Sequence, residues 1–102
     1  MIPLLEANRE TLQQLCARHR VARLELFGSA TRDGFDPDSS DLDFLVEFLP
    51  LRPGEYADEY FALLSALESL FHRPVDLVMT RAIRNRYFLQ SVNETRVVLY
   101  AA

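Results

Sequence analysis

Asp41 and Asp43 stand two residues apart at the head of an apolar run, and a third aspartate, Asp76, stands near the head of another. On an extended strand alternate side chains share a face, so the first two carboxylates share one, their Cα atoms about 6–7 Å apart. A neighbouring strand starting near Asp76 would bring the third alongside. Three carboxylates on one face repel each other at low dielectric, and a divalent cation removes that cost. Oxygen-only donors suit hard cations such as Mg²⁺ or Mn²⁺ rather than zinc. Two such ions about 3.5–4 Å apart can bridge a carboxylate set and stabilise both the attacking and the leaving oxygen of an in-line phosphoryl displacement. Taken alone, Ser-Ser-Asp-Leu-Asp is also an ordinary turn leading into a strand.

A second feature raises the chemical reading above the ordinary one. The run Val21 to Phe27 stops at Gly28-Ser29. A glycine lets the backbone approach a phosphate closely, and N–H groups exposed at the end of a strand bind anions. Ser29 adds a hydroxyl donor. No Gly-x-Ser-x-Gly elbow surrounds it, so a nucleophilic serine is not indicated.

The elements that must position these residues follow from hydrophobic spacing. Leu5, Leu12, Leu15, Cys16 and His19 predict an amphipathic helix over Leu5 to His19. Val21 to Phe27 alternates apolar and charged residues, the period of a half-buried strand. Thr31 to Ser40, with Gly34 and Pro37, reads as a long loop of the kind that carries function in small domains. Leu42 to Phe48 is a second strand, ended by Pro50 and Pro53-Gly54. Tyr56 to His72 is a second helix and Val75 to Met79 a short third strand, separated by Pro74. A short third helix over Ala82 to Val92 and a strand over Arg96 to Tyr100 complete an α/β sandwich of two layers.

Composition bounds the function. The 102 residues suit one domain with a workable core, leaving little chain for a separate substrate-binding domain. No apolar run approaches a membrane span and no secretory signal is visible. The single cysteine, Cys16, allows no internal disulfide and suits a reducing cytoplasm. A net charge of −4 weighs against nucleic acid as a direct partner. All 11 basic residues are arginines, so chemistry through a covalent lysine–AMP intermediate is excluded, while arginine can still grip phosphates. Cys16, His19 and His72 lack the spacing of a zinc site and are assigned to packing or surface. Arg81, Arg84 and Arg86 are read as a solvated face in preference to a site for an acidic partner.

The run Leu26-Phe27-Gly28-Ser29-Ala30-Thr31-Arg32, followed by Pro37-Asp38-Ser39-Ser40-Asp41-Leu42-Asp43-Phe44-Leu45-Val46, resembles the polymerase-beta-type nucleotidyltransferase superfamily. Its mark is Gly-Ser, a loop, then Asp-x-Asp or Asp-x-Glu on the next strand. The short length and Pro74-Val75-Asp76-Leu77-Val78 are similar to the minimal nucleotidyltransferase (MNT) branch, and the likeness covers about residues 5 to 100. It implies a two-layer nucleotidyltransferase fold, a mixed four-stranded sheet with helices packed on it, forming one domain over 1–102. It implies that Gly28 and Ser29 hold the β and γ phosphates of an NTP, ATP by expectation. It further implies that Asp41 and Asp43 bind two Mg²⁺ ions, and that Asp76 is a third ligand that helps deprotonate the acceptor. Arg32 either pairs with the triphosphate or stays solvated. The loop Asp33-Gly34-Phe35-Asp36 departs from the compact Gly-Ser-x-x-x-Gly form of many relatives.

The branch also implies a partner: an all-helical HEPN RNase toxin, which MNT antitoxins neutralise, in some cases by adenylylating a hydroxyl on it. Two other readings stand beside this one. One is a non-catalytic antitoxin that binds and masks the toxin. The other is a transferase acting on a small molecule, with a homodimer completing its pocket. Phe35, Phe48, Tyr56 and Tyr87, near predicted loops and helix ends, are candidates for burial against another chain.

Overall fold

The structure, a computed structural model, describes residues 3–31 and 41–102, with Ser29 by its backbone only. β1 (Val21–Phe27), β2 (Leu42–Phe48), β3 (Val75–Met79) and β4 (Val97–Ala101) form one mixed sheet in the order β3-β2-β1-β4. β1 pairs antiparallel with both β2 and β4, whereas β2 and β3 run parallel. The crossover that parallel strands need is supplied by helix α3 (Glu55–Phe71).

The period-two pattern sorts side chains to two faces. Leu42, Phe44, Val46 and Phe48 of β2, with Leu24 and Leu26 of β1, enter the main core. There they meet Leu63, Leu67 and Phe71 of α3, and Leu12 and Cys16 of the N-terminal helices. Phe44 and Phe71 stack with centroids 5.9 Å apart. Asp43, Leu45 and Glu47 are the intervening residues and face the other way. On that side Leu45 and Phe27 bury against Val92 of α4 (Arg86–Thr95), flanked by Val78 and Ile83.

Two predicted helices are revised by asparagine side chains that bond to nearby backbone. The first is divided into α1 (Pro3–Ala7) and α2 (Arg9–Arg18). Asn8 interrupts it, because its Nδ2 donates to the Leu4 carbonyl at 2.8 Å and its N–H to the Leu5 carbonyl at 3.2 Å. A short polar side chain competing for local backbone groups favours a turn over a continuous helix. The third predicted helix, Ala82 to Val92, starts later: Thr80–Ala82 is a single 3₁₀ turn and α4 begins at Arg86. Asn85 decides the start, since its Oδ1 accepts from the N–H groups of Tyr87 (2.9 Å) and Phe88 (3.2 Å), an N-cap. The Arg96 N–H still donates to the Val92 carbonyl at 2.9 Å, so the last strand opens at Val97 rather than Arg96.

α3 fixes the strand that follows it. His72 takes a left-handed conformation, φ 54°, and its N–H closes onto the Glu68 carbonyl; Pro74 then bars further helix. The Glu68 Oε2 accepts the Val75 N–H at 3.1 Å, and the Tyr60 hydroxyl donates to the Leu77 carbonyl at 2.7 Å. Both bonds bracket Asp76.

Candidate active site

β2 and β3 bring two of the three expected aspartates together: Asp43 and Asp76 are partners in the parallel ladder. Adjacent strands lie about 4.8 Å apart and both residues point to the α4 side of the sheet, so the two carboxylates occupy one small region. Asp41 precedes β2 and is exposed, as is Asp76, while Asp43 is half-buried. Burial pushes the Asp43 carboxyl up to about 6, and the charges of Asp76 and Asp41 push it in the same direction. Burial and the two neighbouring charges thus make the ionised form of Asp43 costly, a cost that a cation relieves.

The antiparallel ladder places Phe27 opposite Asp43, so β1 delivers Gly28 to the same spot. Gly28 has φ +76°, a left-handed conformation that disfavours any side chain. A Cβ there would stand 3.3 Å from the Asp43 Cγ and collide with Oδ2. The backbone of the turn therefore touches the carboxylate, which only glycine permits. Gly28 and Ser29 open a 3₁₀ turn, Gly28–Thr31. The Ser29 side chain and Arg32, with the rest of 32–40 including Phe35, lie outside the described residues.

Among the described residues, no three His, Cys, Asp or Glu side chains form a ready-made metal cage. Carboxylate donors on two neighbouring strands suit Mg²⁺, which is commonly held by one or two carboxylates with water and substrate phosphates completing its shell. The donors that fit are Asp43 and Asp76, with Asp41 at the rim. Hollows of about 430 and 520 Å³ lie elsewhere. The first lies at the far end of β2, around Phe48, Tyr56 and Arg81; the second lies along the β3 edge, around Tyr60 and Phe61. The acidic residues line neither of them.

A glycine turn beside strand-borne carboxylates is what the superfamily signature describes, and the sequence profile of the nucleotidyltransferase domain matches residues 8–99. The chain belongs to that family, in its minimal branch. Members of the family are enzymes, and this chain is one of them. A relative from Methanocaldococcus jannaschii, provisionally named protein adenylyltransferase MJ1379, is 34% identical over 89 residues, 87% of each chain. A solved structure provisionally described as a minimal nucleotidyltransferase is 36% identical, with TM-score 0.73 over 94% of this chain and 95% of that one. A chain from the complex of a tri-AMPylated Shewanella oneidensis HEPN toxin with its MNT antitoxin shares the fold, with TM-score 0.65 and 20% identity. It is matched over 95% of this chain and 72% of that one.

Other expectations meet mixed outcomes. Cys16 is fully buried in the main core, and burial pushes its thiol up to about 12; His19 lies 4.0 Å from Glu59. Neither belongs to a metal cluster among the described residues. Arg81 stacks over Tyr56 at 4.4 Å and Arg86 over Tyr87 at 5.4 Å, while Arg84 donates to the Arg81 carbonyl. Phe48 is buried in this chain's own core, edge-on to Tyr56, which removes it as a contact for another chain. Tyr87 is 70% exposed. No described helix is long and apolar enough to cross a membrane.

Spacing in the sequence missed Glu25. Alternation along β1 gave a half-buried strand, yet Glu25 is 1% exposed. It lies between two guanidinium groups: Arg23 Nε donates to Oε1, and Arg96 Nε to Oε2 at 2.6 Å. Burial alone would raise its pKa, but the two arginine bonds prevail and hold it below the usual carboxylate range. Only the return of the C-terminal segment over this face buries it, and nothing local to β1 signals that return.

Proposed function

We propose that this chain, as a single domain over 1–102, transfers AMP from ATP to a hydroxyl of a partner protein in the cytoplasm. The HEPN-type toxin is the partner class that the Shewanella complex suggests. The observation carrying this reading is the junction of Asp43, Asp76 and Gly28, where two ladder registers put a paired carboxylate against a glycine turn. The provisional name of the M. jannaschii relative supports protein as the acceptor class.

In this reading the Gly28-Ser29 turn receives the β and γ phosphates, Gly28 by the close approach that a residue without a side chain allows and Ser29 by its N–H and hydroxyl. Arg32 gives a cationic contact to the triphosphate. Asp41, Asp43 and Asp76 would hold Mg²⁺, two ions in the full complement. The bound cations would supply charge neutralisation of the phosphates and of the developing oxyanions. The acceptor hydroxyl oxygen attacks the α-phosphorus, a new P–O bond forms, and the α–β anhydride bond breaks to release pyrophosphate. Asp76, the more exposed of the paired carboxylates, takes the hydroxyl proton.

The test uses purified chain, Mg²⁺, ATP labelled at the α-phosphate and the product of the neighbouring gene. Wild type is expected to label that protein. Asp41→Ala/Asp43→Ala is expected to lose the labelling by about 10²–10³-fold, equivalent to roughly 3–4 kcal/mol of barrier. Stable complex formation and toxin neutralisation by both versions, without label, would replace this reading with masking.

A further inference from the structure

α4 reaches the sheet at a short stretch of β1 and the turn after it. Phe88 packs edge-on against Phe27, centroids 5.9 Å apart at 87°, and Val92 buries between Phe27 and Leu45. Arg96, just past the helix, binds the buried Glu25. Between these contacts the Gly28 N–H donates to the Thr95 Oγ1 at 3.0 Å, across 67 residues of sequence. On its other side the Gly28 carbonyl accepts from the Thr31 hydroxyl at 2.8 Å. Both backbone polar groups of Gly28 are therefore held by threonine hydroxyls.

That matters because a glycine has no side chain to fix its own dihedral angles. Gly28 lies against the Asp43 carboxylate with no room for one added carbon. A small rotation of the turn would alter both the seat of the carboxylate and the direction of the following amides. The Thr95 hydroxyl is committed to this duty. It accepts from Gly28 and, among the described residues, donates to the Ser91 and Val92 carbonyls of its own helix, at 3.4 and 3.5 Å.

We infer that Thr95 is a positioning residue for the nucleotidyl-transfer site: its hydroxyl locks the Gly28 turn against Asp43 and so sets where the triphosphate meets the acidic pair. This rests on the transferase reading above. Among the described residues the hydrogen bonds of Thr95 run to Gly28 and to its own helix, so it acts on the acidic pair through Gly28. Arg96 on Glu25 and Phe88 on Phe27 anchor the helix end from which the hydroxyl is presented, so the helix works as a clamp on the turn.

The test compares wild type, Thr95→Val and Thr95→Ser. Valine keeps the shape and removes the bond, while serine restores the hydroxyl. In metal-free protein, hydrogen exchange at the Gly28 amide is expected to quicken about five- to tenfold in Thr95→Val, the scale of one hydrogen bond, and to recover in Thr95→Ser. Affinity for α,β-methylene-ATP with Mg²⁺ is expected to fall about five- to tenfold in Thr95→Val and to stay within about twofold of wild type in Thr95→Ser. Thr95→Val should melt only a few degrees below wild type, the scale of one hydrogen bond, so all three proteins are folded at the assay temperature. Unchanged Gly28 exchange in Thr95→Val overturns the positioning role, as does a loss of affinity that serine fails to restore. A wild type that binds no nucleotide overturns the transferase reading and the role in transfer with it; the exchange result then still decides whether Thr95 holds the turn.

Discussion

Asp43 concentrates the site's electrostatics in one side chain. Its carboxyl is raised from 3.8 to about 6 by burial, with Asp76 and Asp41 adding to the effect. The folded value exceeds the unfolded one, so its contribution to stability is full below about 3.8 and is lost as pH rises through about 6. At neutral pH the metal-free protein therefore carries a strained carboxylate. Asp43→Asn should raise the unfolding temperature at pH 7.5 and leave it nearly unchanged at pH 4, while abolishing transfer. A bound cation reverses the balance, because it favours the ionised form. Stabilisation by Mg²⁺ should accordingly grow between pH 5 and pH 7.5 in thermal melts of wild type. A Mg²⁺ shift of equal size at both pH values would remove Asp43 from the ligand set.

Among the elements, α4 and β3 determine the site. β3 is seated by Glu68 and Tyr60 of α3, so the helix that fills the core also fixes Asp76. α4 is seated by Phe88, Val92 and the salt bridge of Arg96 with Glu25. Replacing one member of a buried ion pair strands the others. Arg23 and Arg96 keep access to water, 49% and 33% exposed, so the cost of Glu25→Gln falls toward the lower end, about 1–3 kcal/mol. Denaturant melts at pH 7 should show that loss. Because the folded carboxyl lies below its ordinary value, the difference between wild type and Glu25→Gln should shrink as pH falls through the carboxylate range. Nucleotide affinity should drop as well, since the clamp on Gly28 loosens with α4.

Across the whole molecule, one main core supports an exposed site. Phe44, Leu63, Leu67 and Cys16 lie within that core, while the acidic pair sits on the opposite face of the sheet. Strand order β3-β2-β1-β4 puts β2 and β1, the strands bearing Asp43 and Gly28, in the centre, where both neighbours hold their register. Central strands are therefore used for geometry, and Asp76 on the edge strand needs the extra bonds from α3. Cys16 reports on this core: fully buried, with its thiol pushed up to about 12, it should resist DTNB in the native state. Modification should occur at the rate of global unfolding and speed up with denaturant. Rapid labelling of native protein would show that the packing of α2 on the sheet opens locally.

How much of this was legible in the residues alone depends on the range of the interaction. The period of β2 put Asp43 on the face opposite Leu42 and Phe44, and Pro74 marked the break before β3. Gly28-Ser29 with Asp-x-Asp identified the family. These are local signals, because side-chain direction along a strand and the freedom of a glycine are properties of a few adjacent residues. Helix ends were less legible, since Asn8 and Asn85 act through individual hydrogen bonds that hydrophobic spacing does not encode. Tertiary structure alone decided three things: the parallel register pairing Asp43 with Asp76, the burial of Glu25 between two arginines, and the bond from Gly28 to Thr95. Each joins residues through packing of the sheet and helices, and short-range periodicity carries no record of which distant segment returns over which face.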